Sequence, residues 1–297
     1  MSKIVELEAL STFVAPGETV GLGGAWMSNH PMAAVRQLIR DGIGDLHVVG
    51  SLSSIDVDLL IAAGLVRELT FSMVSLEAYG LAPHFRAAVQ DGSLKINEVS
   101  GVAINVGYSA GARNLPFLPM RDLGGSQLPE MAPDFYANVT CPFSGDEFLA
   151  IRAFNPDVAI LHVARADAAG NCQVDGPKSI DDEIARAARR VIVTAEEIVD
   201  TDVIVANASS THIPGFLVDA VIEAPYGAHP TSLVPVYGFD AWTVMDYADV
   251  CAAGEAPAYL EQLRGESEAE YRARVLDDDR RTVLAHVAQD VQVLEAS

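Results

Sequence analysis

Residues able to do chemistry in this 297-residue chain gather where apolar runs end in turns. The first such turn is Gly21-Leu22-Gly23-Gly24-Ala25-Trp26-Met27-Ser28-Asn29-His30-Pro31, which passes from a strand pattern into a helix pattern. Glycine there would let the backbone approach a ligand closely, and free N–H groups at a helix start favour an anion. Tight packing without a ligand explains the same turn. The pattern is not GxGxxG, because Trp26 stands where the third glycine belongs, and no Gly-Lys-Ser/Thr follows to make a phosphate loop.

Asn97-Glu98 closes another strand pattern. In open α/β sheets the carboxyl ends of strands line the ligand crevice, so Glu98 is a candidate base, nucleophile or anchor. A solvated surface carboxylate is the other reading. A third turn, Arg165-Ala166-Asp167-Ala168-Ala169-Gly170-Asn171-Cys172, has the Asp-x-x-Gly-Asn form of a tight turn, which favours a structural role over direct catalysis. His229 stands in a Gly-Ala-His-Pro loop, whereas His47 and His162 lie inside strand patterns and read as core or edge residues. No His-x-x-x-His or GxSxG signature occurs, and Cys141, Cys172 and Cys251 are too few and too far apart for a disulfide framework. The expectation is a site with no metal.

The elements that must position these turns alternate in type. Thr19–Gly23 reads as a buried strand, and 31–39 as a helix opened by Pro31. Strands at 46–49, 69–71, 94–96, 158–163, 191–193 and 203–205 alternate with helices at 55–63, 83–89 and 181–190. That rhythm predicts an α/β fold, an open, doubly wound, mostly parallel sheet with helices on both faces. The chain is expected to be one domain, 1–297, with residues 242–297 as a helical C-terminal arm packing on the sheet or on a partner. Leu115 to Pro142, rich in Pro and Gly, reads as a long excursion of functional or disordered type, and 224–230 as a second break.

Composition narrows the function classes. Asp plus Glu number 41 against 19 Lys plus Arg, a formal charge of −22. Such a surface repels phosphate backbones and anionic lipid, which argues against nucleic-acid and membrane partners. Half the residues are apolar and evenly spread, enough for a sizeable core. No signal-peptide pattern and no run of membrane-spanning length is seen, and with few cysteines the expected location is the cytoplasm.

Several turns, taken in order, resemble one known family. Gly23 to Pro31 resembles the glycine signature of the α subunits of family I CoA-transferases: Gly-Gly-Phe, three residues, Gly, one residue, Pro. Ala25 replaces the Phe and Asn29 the later Gly. Leu115-Pro116-Phe117-Leu118-Pro119-Met120-Arg121 is similar to a segment of the glutaconate CoA-transferase α chain. So are 155–167 with Gly170-Asn171, 190–199, and Ala224-Pro225-Tyr226-Gly227-Ala228-His229-Pro230. The resemblance spans roughly residues 17 to 240.

What the resemblance implies goes beyond the residue patterns. Family members pair an α and a β chain, as a heterodimer or heterotetramer, around a shared site. The nucleophile is a glutamate in a Ser-Glu-Asn-Gly-like motif of the β chain, which this sequence lacks. The implied reaction moves CoA between short, dicarboxylic acyl-CoA thioesters and free carboxylates, with CoA a substrate and no tightly bound cofactor. Implied binding residues are Gly23, Gly24, Ala25, Ser28, Asn29, Asn171 and His229, with the Gly23 and Gly24 amides facing an oxyanion. Related hydrolases of actinobacterial steroid-ring degradation open a carbon ring of a CoA thioester with an acidic α-chain residue, and Glu98 matches that position. A third reading is a non-catalytic acyl-CoA-binding protein.

Overall fold

Near-continuous Val, Ile and Leu runs call for strands covered on both faces, and the central sheet meets that demand. The computed structural model describes residues 2–121 and 123–296, with side chains described as far as Gln289. Met1, Asp122 and Ser297, which belong to the span predicted as one domain, lie outside the described residues. Eight parallel strands run in the order Ile4–Val5, Ala220–Glu223, Arg190–Ile198, Val158–Ala166, Thr19–Leu22, Leu46–Val49, Val66–Phe71 and Lys95–Glu98. Two short antiparallel strands, Cys172–Gln173 and Thr211–Ile213, extend it. The predicted wound, mostly parallel sheet is what forms.

Side chains alternate between two cores. Along Val158–Ala166, Val158 and Ile160 enter one core, while Ala159, Leu161 and Val163 enter the other. The first core packs helices Met32–Asp41, Ile55–Ala62 and Pro83–Asp91, and the second packs Gly101–Ala112 and Asp181–Ala187. The C-terminal helices Ala241–Ala252, Ala256–Gly265, Glu268–Val275 and Asp278–Ala296 follow as an arm. It docks on Met32–Asp41 through buried Arg36, which pairs with Glu268 and lies 3.9 Å from the Tyr271 ring centre. Leu260, Leu263 and Tyr271 join the first core there.

Two local readings change, and one helix has no sequence reading. Val203-Ile204-Val205, expected as a strand, lies in the helix Thr201–Ala206. Ile204 is buried while Val203 and Val205 face solvent, and the place beside Arg190–Ile198 goes to Ala220–Glu223. The Pro-rich excursion is built around a three-stranded antiparallel sheet of Phe117–Met120, Glu147–Arg152 and Tyr136–Thr140. Gly101–Ala112 is a helix that its glycines conceal. A Cβ at Gly107 would sit 2.3 Å from the Phe154 ring, so the glycine serves close packing of this helix.

Candidate functional site

The strands Thr19–Leu22 and Val158–Ala166 lie side by side, and the chain winds outward from them in opposite directions. At such a reversal the loops leaving the carboxyl ends splay apart and open a crevice. A cavity of about 510 Å³ lies among the loops there. The glycine turn supplies Ala25, Trp26, Met27, Ser28 and Asn29 to its wall. Glu77 enters from beyond Val66–Phe71, Pro177, Lys178 and Ser179 from the approach to Asp181–Ala187, and Ser232 and Phe239 from the loop before the arm.

The glycine turn is held by its own chain. Gly23 N–H donates to the Ile160 carbonyl (3.0 Å) and Gly24 N–H to Asp181 Oδ1 (3.0 Å). Ala25 N–H donates to Ser28 O, Trp26 N–H to Leu52 O and Asn29 N–H to Ser232 O. The expected oxyanion pair at Gly23 and Gly24 is therefore corrected: both residues are buried, and both amides are engaged internally. The reason is local, because the helix whose first turn would offer free N–H groups begins only at Met32. Gly24 adopts φ +85°, and a Cβ on it would lie 2.7 Å from the His30 nitrogen. Buried Asp181 also accepts from Ser179, and burial pushes its carboxyl up despite those hydrogen bonds.

Strain concentrates around the cavity. Among the described residues six non-glycines have positive φ, and three of them, Trp26 (57°), Asn29 (60°) and Glu77 (56°), line this cavity. Each such residue costs roughly 1–3 kcal/mol, and strain of this kind clusters at functional sites. His30 holds the turn in place: Nε2 lies 2.7 Å from Trp26 O and Nδ1 2.9 Å from Asp56 Oδ2, with both His30 and Asp56 buried. Burial opposes a charge on His30, but Asp56 outweighs it and the His30 pKa is raised. With oxygen acceptors at both nitrogens, the doubly protonated ring satisfies the geometry.

The groups open to a ligand are few. Asn29 Nδ2 donates to Pro177 O (3.2 Å), and Ser28 Oγ to Asn29 Oδ1 (3.2 Å). By contrast, the Lys178 ammonium and the Glu77 carboxylate make no hydrogen bond or ion pair among the described residues. Trp26 is 55% exposed, and with Met27, Pro177 and Phe239 it gives the cavity an apolar wall. The Lys178 ammonium and the aromatic wall suit a small organic acid with an apolar chain. Glu77, Lys178 and His30 are not singled out by sequence reasoning. Positive φ at a glutamate has no sequence signal, although Gly176-Pro177-Lys178 does mark a loop.

The other predicted residues separate from the cavity. Glu98 ends the edge strand opposite Phe71, exposed and without a side-chain partner among the described residues, on the third strand outward from Thr19–Leu22. Asn171 is structural: Nδ2 donates to Asp167 Oδ2 (2.9 Å) and Oδ1 accepts from Gly215 N–H (2.9 Å). His229 is fully buried between Tyr271 Oη and Asp240 Oδ2, both at 2.9 Å, so it fastens the arm and does not meet a ligand. His162 is buried against Thr194, and no cluster of metal-ligand type occurs among the described residues.

Residues 7–224 match the coenzyme A transferase family. An uncharacterised protein of Archaeoglobus fulgidus is 40% identical over 259 residues, covering 86% of this chain and 57% of that protein, so the chain spans little over half of it. The A chain of 3-oxoadipate CoA-transferase from Pseudomonas knackmussii is 38% identical, with 78% of this chain and 82% of that one covered. The cholesterol ring-cleaving hydrolase IpdA subunit of Mycobacterium tuberculosis is 31% identical, covering 87% and 92%. Glutaconate coenzyme A-transferase of Acidaminococcus fermentans has a solved structure that superposes with TM-score 0.90 at 30% identity, covering 95% of each chain.

Proposed function

This chain belongs to the coenzyme A transferase family, and from that premise we propose that it is the α subunit of a heteromeric CoA-transferase. The complex moves CoA between short dicarboxylic acyl-CoA thioesters and free carboxylates. A β subunit supplies the nucleophilic glutamate, in a heterodimer or heterotetramer. That carboxylate attacks the thioester carbonyl and expels the CoA thiolate, giving a mixed anhydride. The thiolate then attacks the glutamyl carbonyl and releases the first acid, leaving CoA on the enzyme for a second carboxylate. Splitting one exchange into such steps lowers each barrier.

The observation that carries this reading is the cavity at the winding reversal, where strained Trp26, Asn29 and Glu77 meet a Lys178 with no partner among the described residues. In it Lys178 pairs with an anionic group of the acyl chain, and Trp26 with Phe239 packs its methylenes away from water. Co-expression with the adjacent β-type reading frame, followed by CoA exchange against a panel of short dicarboxylates, is the direct test. Exchange requires both chains, and the α chain alone is expected to be inert. No helix among the described residues is long and apolar enough to cross a membrane.

A second reading keeps the partner but changes the chemistry. The unpartnered Glu98 at a carboxyl strand end, together with the likeness to the IpdA subunit, suits a hydrolase that opens a carbon ring of a steroid-derived acyl-CoA. A β chain without a nucleophilic glutamate, and ring opening without CoA exchange, would select it. Tight CoA binding with no turnover alongside any β chain would instead mark a non-catalytic acyl-CoA-binding protein.

A further inference from the structure

Trp26 is the bulkiest of the strained residues on the cavity wall, with φ 57° and a ring left 55% exposed. A bulky residue keeps such a backbone conformation only where its surroundings impose it. Here one neighbouring segment, 52–56, does so. Trp26 N–H donates to Leu52 O (2.8 Å), and Ser54 Oγ donates to Met27 Sδ (2.9 Å). The Trp26 carbonyl lies 2.7 Å from His30 Nε2. Behind His30 stands Asp56, whose Oδ2 is 2.9 Å from Nδ1 and whose Oδ1 accepts from Ser54 N–H (2.7 Å). Both His30 and Asp56 are buried, so water does not stand in for either contact.

The Trp26 carbonyl and the Asp56 carboxylate are both acceptors, so each faces a proton only when the imidazole carries one on both nitrogens. A neutral ring turns a lone pair toward one of the two oxygens, and that contact is lost. The other charged groups around His30 do not replace Asp56. Asp181, at the start of Asp181–Ala187, attracts the ring more weakly. Asp58, on the same helix as Asp56, is engaged by Tyr247 Oη and Phe85 N–H. Arg36, on the helix after His30, pairs with Glu268, and His229 in the loop 224–230 is turned to Tyr271 and Asp240.

We propose that His30 and Asp56 are positioning residues that hold Trp26 on the acyl-binding wall while the imidazole carries both protons, and release it when one is lost. That Trp26 meets an acyl chain rests on the transferase reading, whereas the clamp on Trp26 does not. Burial by itself would lower the His30 pKa, but Asp56 outweighs it and the pKa is raised. The clamp is therefore whole below the ordinary histidine value near 6.5 and opens as pH climbs through the folded value.

The chain has two tryptophans, so Trp242→Phe leaves Trp26 as the sole indole fluorophore. In the full chain with that change, Trp26 emission should shift to the red in one step between about pH 6.5 and 10, with constant far-UV circular dichroism. Asp56→Asn removes the charge with little change of shape and should move the step about 1–3 pH units lower. His30→Gln, which keeps a single donor, should abolish it. In the αβ complex KM for acyl-CoA should rise about tenfold across the same step, kcat changing less, and the rise should follow the step in Asp56→Asn. Emission that stays constant in the wild-type clamp, a step that Asp56→Asn leaves in place, or a KM indifferent to the step would each overturn the proposal. A complex that exchanges CoA with no carboxylate at any pH would sink the transferase reading alone, and the emission titration still decides the clamp.

Discussion

At the scale of single residues, spacing points to the right turn but to the wrong atoms within it. Gly23 and Gly24 are legible as a close backbone approach, but what they approach is Asp181, Leu161 and the turn itself. Sequence shows that glycine is needed and not which neighbour requires its smallness. The groups that do face the cavity, Lys178 and Glu77, are ordinary surface types whose meaning comes from a fold-generated neighbourhood. If Lys178 reads a distal carboxylate, Lys178→Gln should raise KM for dicarboxylic acyl-CoA about tenfold and leave monocarboxylic substrates nearly unchanged, since one charge-assisted contact is worth about 1.5–3 kcal/mol and is screened here by exposure. Parallel kinetics on the αβ complex with both substrate types measure this. Glu98 is tested in the same assay. On the ring-opening reading Glu98→Ala should reduce turnover at least about tenfold with assembly intact, as one acid–base group is worth roughly a hundredfold or more. On the transferase reading Glu98 lies apart from the cavity, and CoA exchange should be unchanged. Normal turnover would make it a solvated edge carboxylate.

At the scale of elements, what can be read depends on whether a segment's partners lie nearby in sequence. Buried strands such as Val158–Ala166 announce themselves because both faces must be apolar. The helix Gly101–Ala112 does not, because its glycines fit against Phe154, distant in sequence. Thr201–Ala206 misleads in the other direction, its β-branched run suggesting a strand where only Ile204 is buried. The glycine turn is likewise an element, fixed by Asp181 on one side and His30 with Asp56 on the other. Gly24→Ala should therefore cost roughly 1–3 kcal/mol from its positive φ, with more from the contact with His30. Urea unfolding measures the loss, and disorder of Trp26 would show as a red-shifted fluorescence. The His30 clamp carries a pH sign as well. Its folded pKa is raised, so its contribution is complete below the ordinary value near 6.5 and falls away as pH climbs through the folded pKa.

At the scale of the whole molecule, the arm is fastened to the body of the chain by buried polar contacts, Arg36 with Glu268, Tyr247 with Asp58, and a knot around His229. His229 links Tyr271 to Asp240, Arg280 Nη1 reaches Asp240 Oδ1 at 2.7 Å, and Asp240 caps its helix by accepting from Thr243 N–H on the same carboxylate. Burial keeps His229 neutral by lowering its pKa, so the knot rests on a charged Asp240. Burial by itself would raise the Asp240 pKa, yet hydrogen bonds from His229 and Thr243 win and bring it down to about 2. The ordinary value is near 3.9, so ionised Asp240 stabilises the folded chain by about 2 kcal/mol at neutral pH. Because the folded pKa is the lower one, that stabilisation is whole above about pH 5 and drains away as pH falls toward 2. Asp240→Asn should then be less stable than wild type at pH 7 by about 2 kcal/mol, with the gap roughly halved near pH 3. Urea titrations of both proteins across that range check it. A gap independent of pH would mean that shape and hydrogen bonding, and not the charge of Asp240, hold the arm against the helix Met32–Asp41.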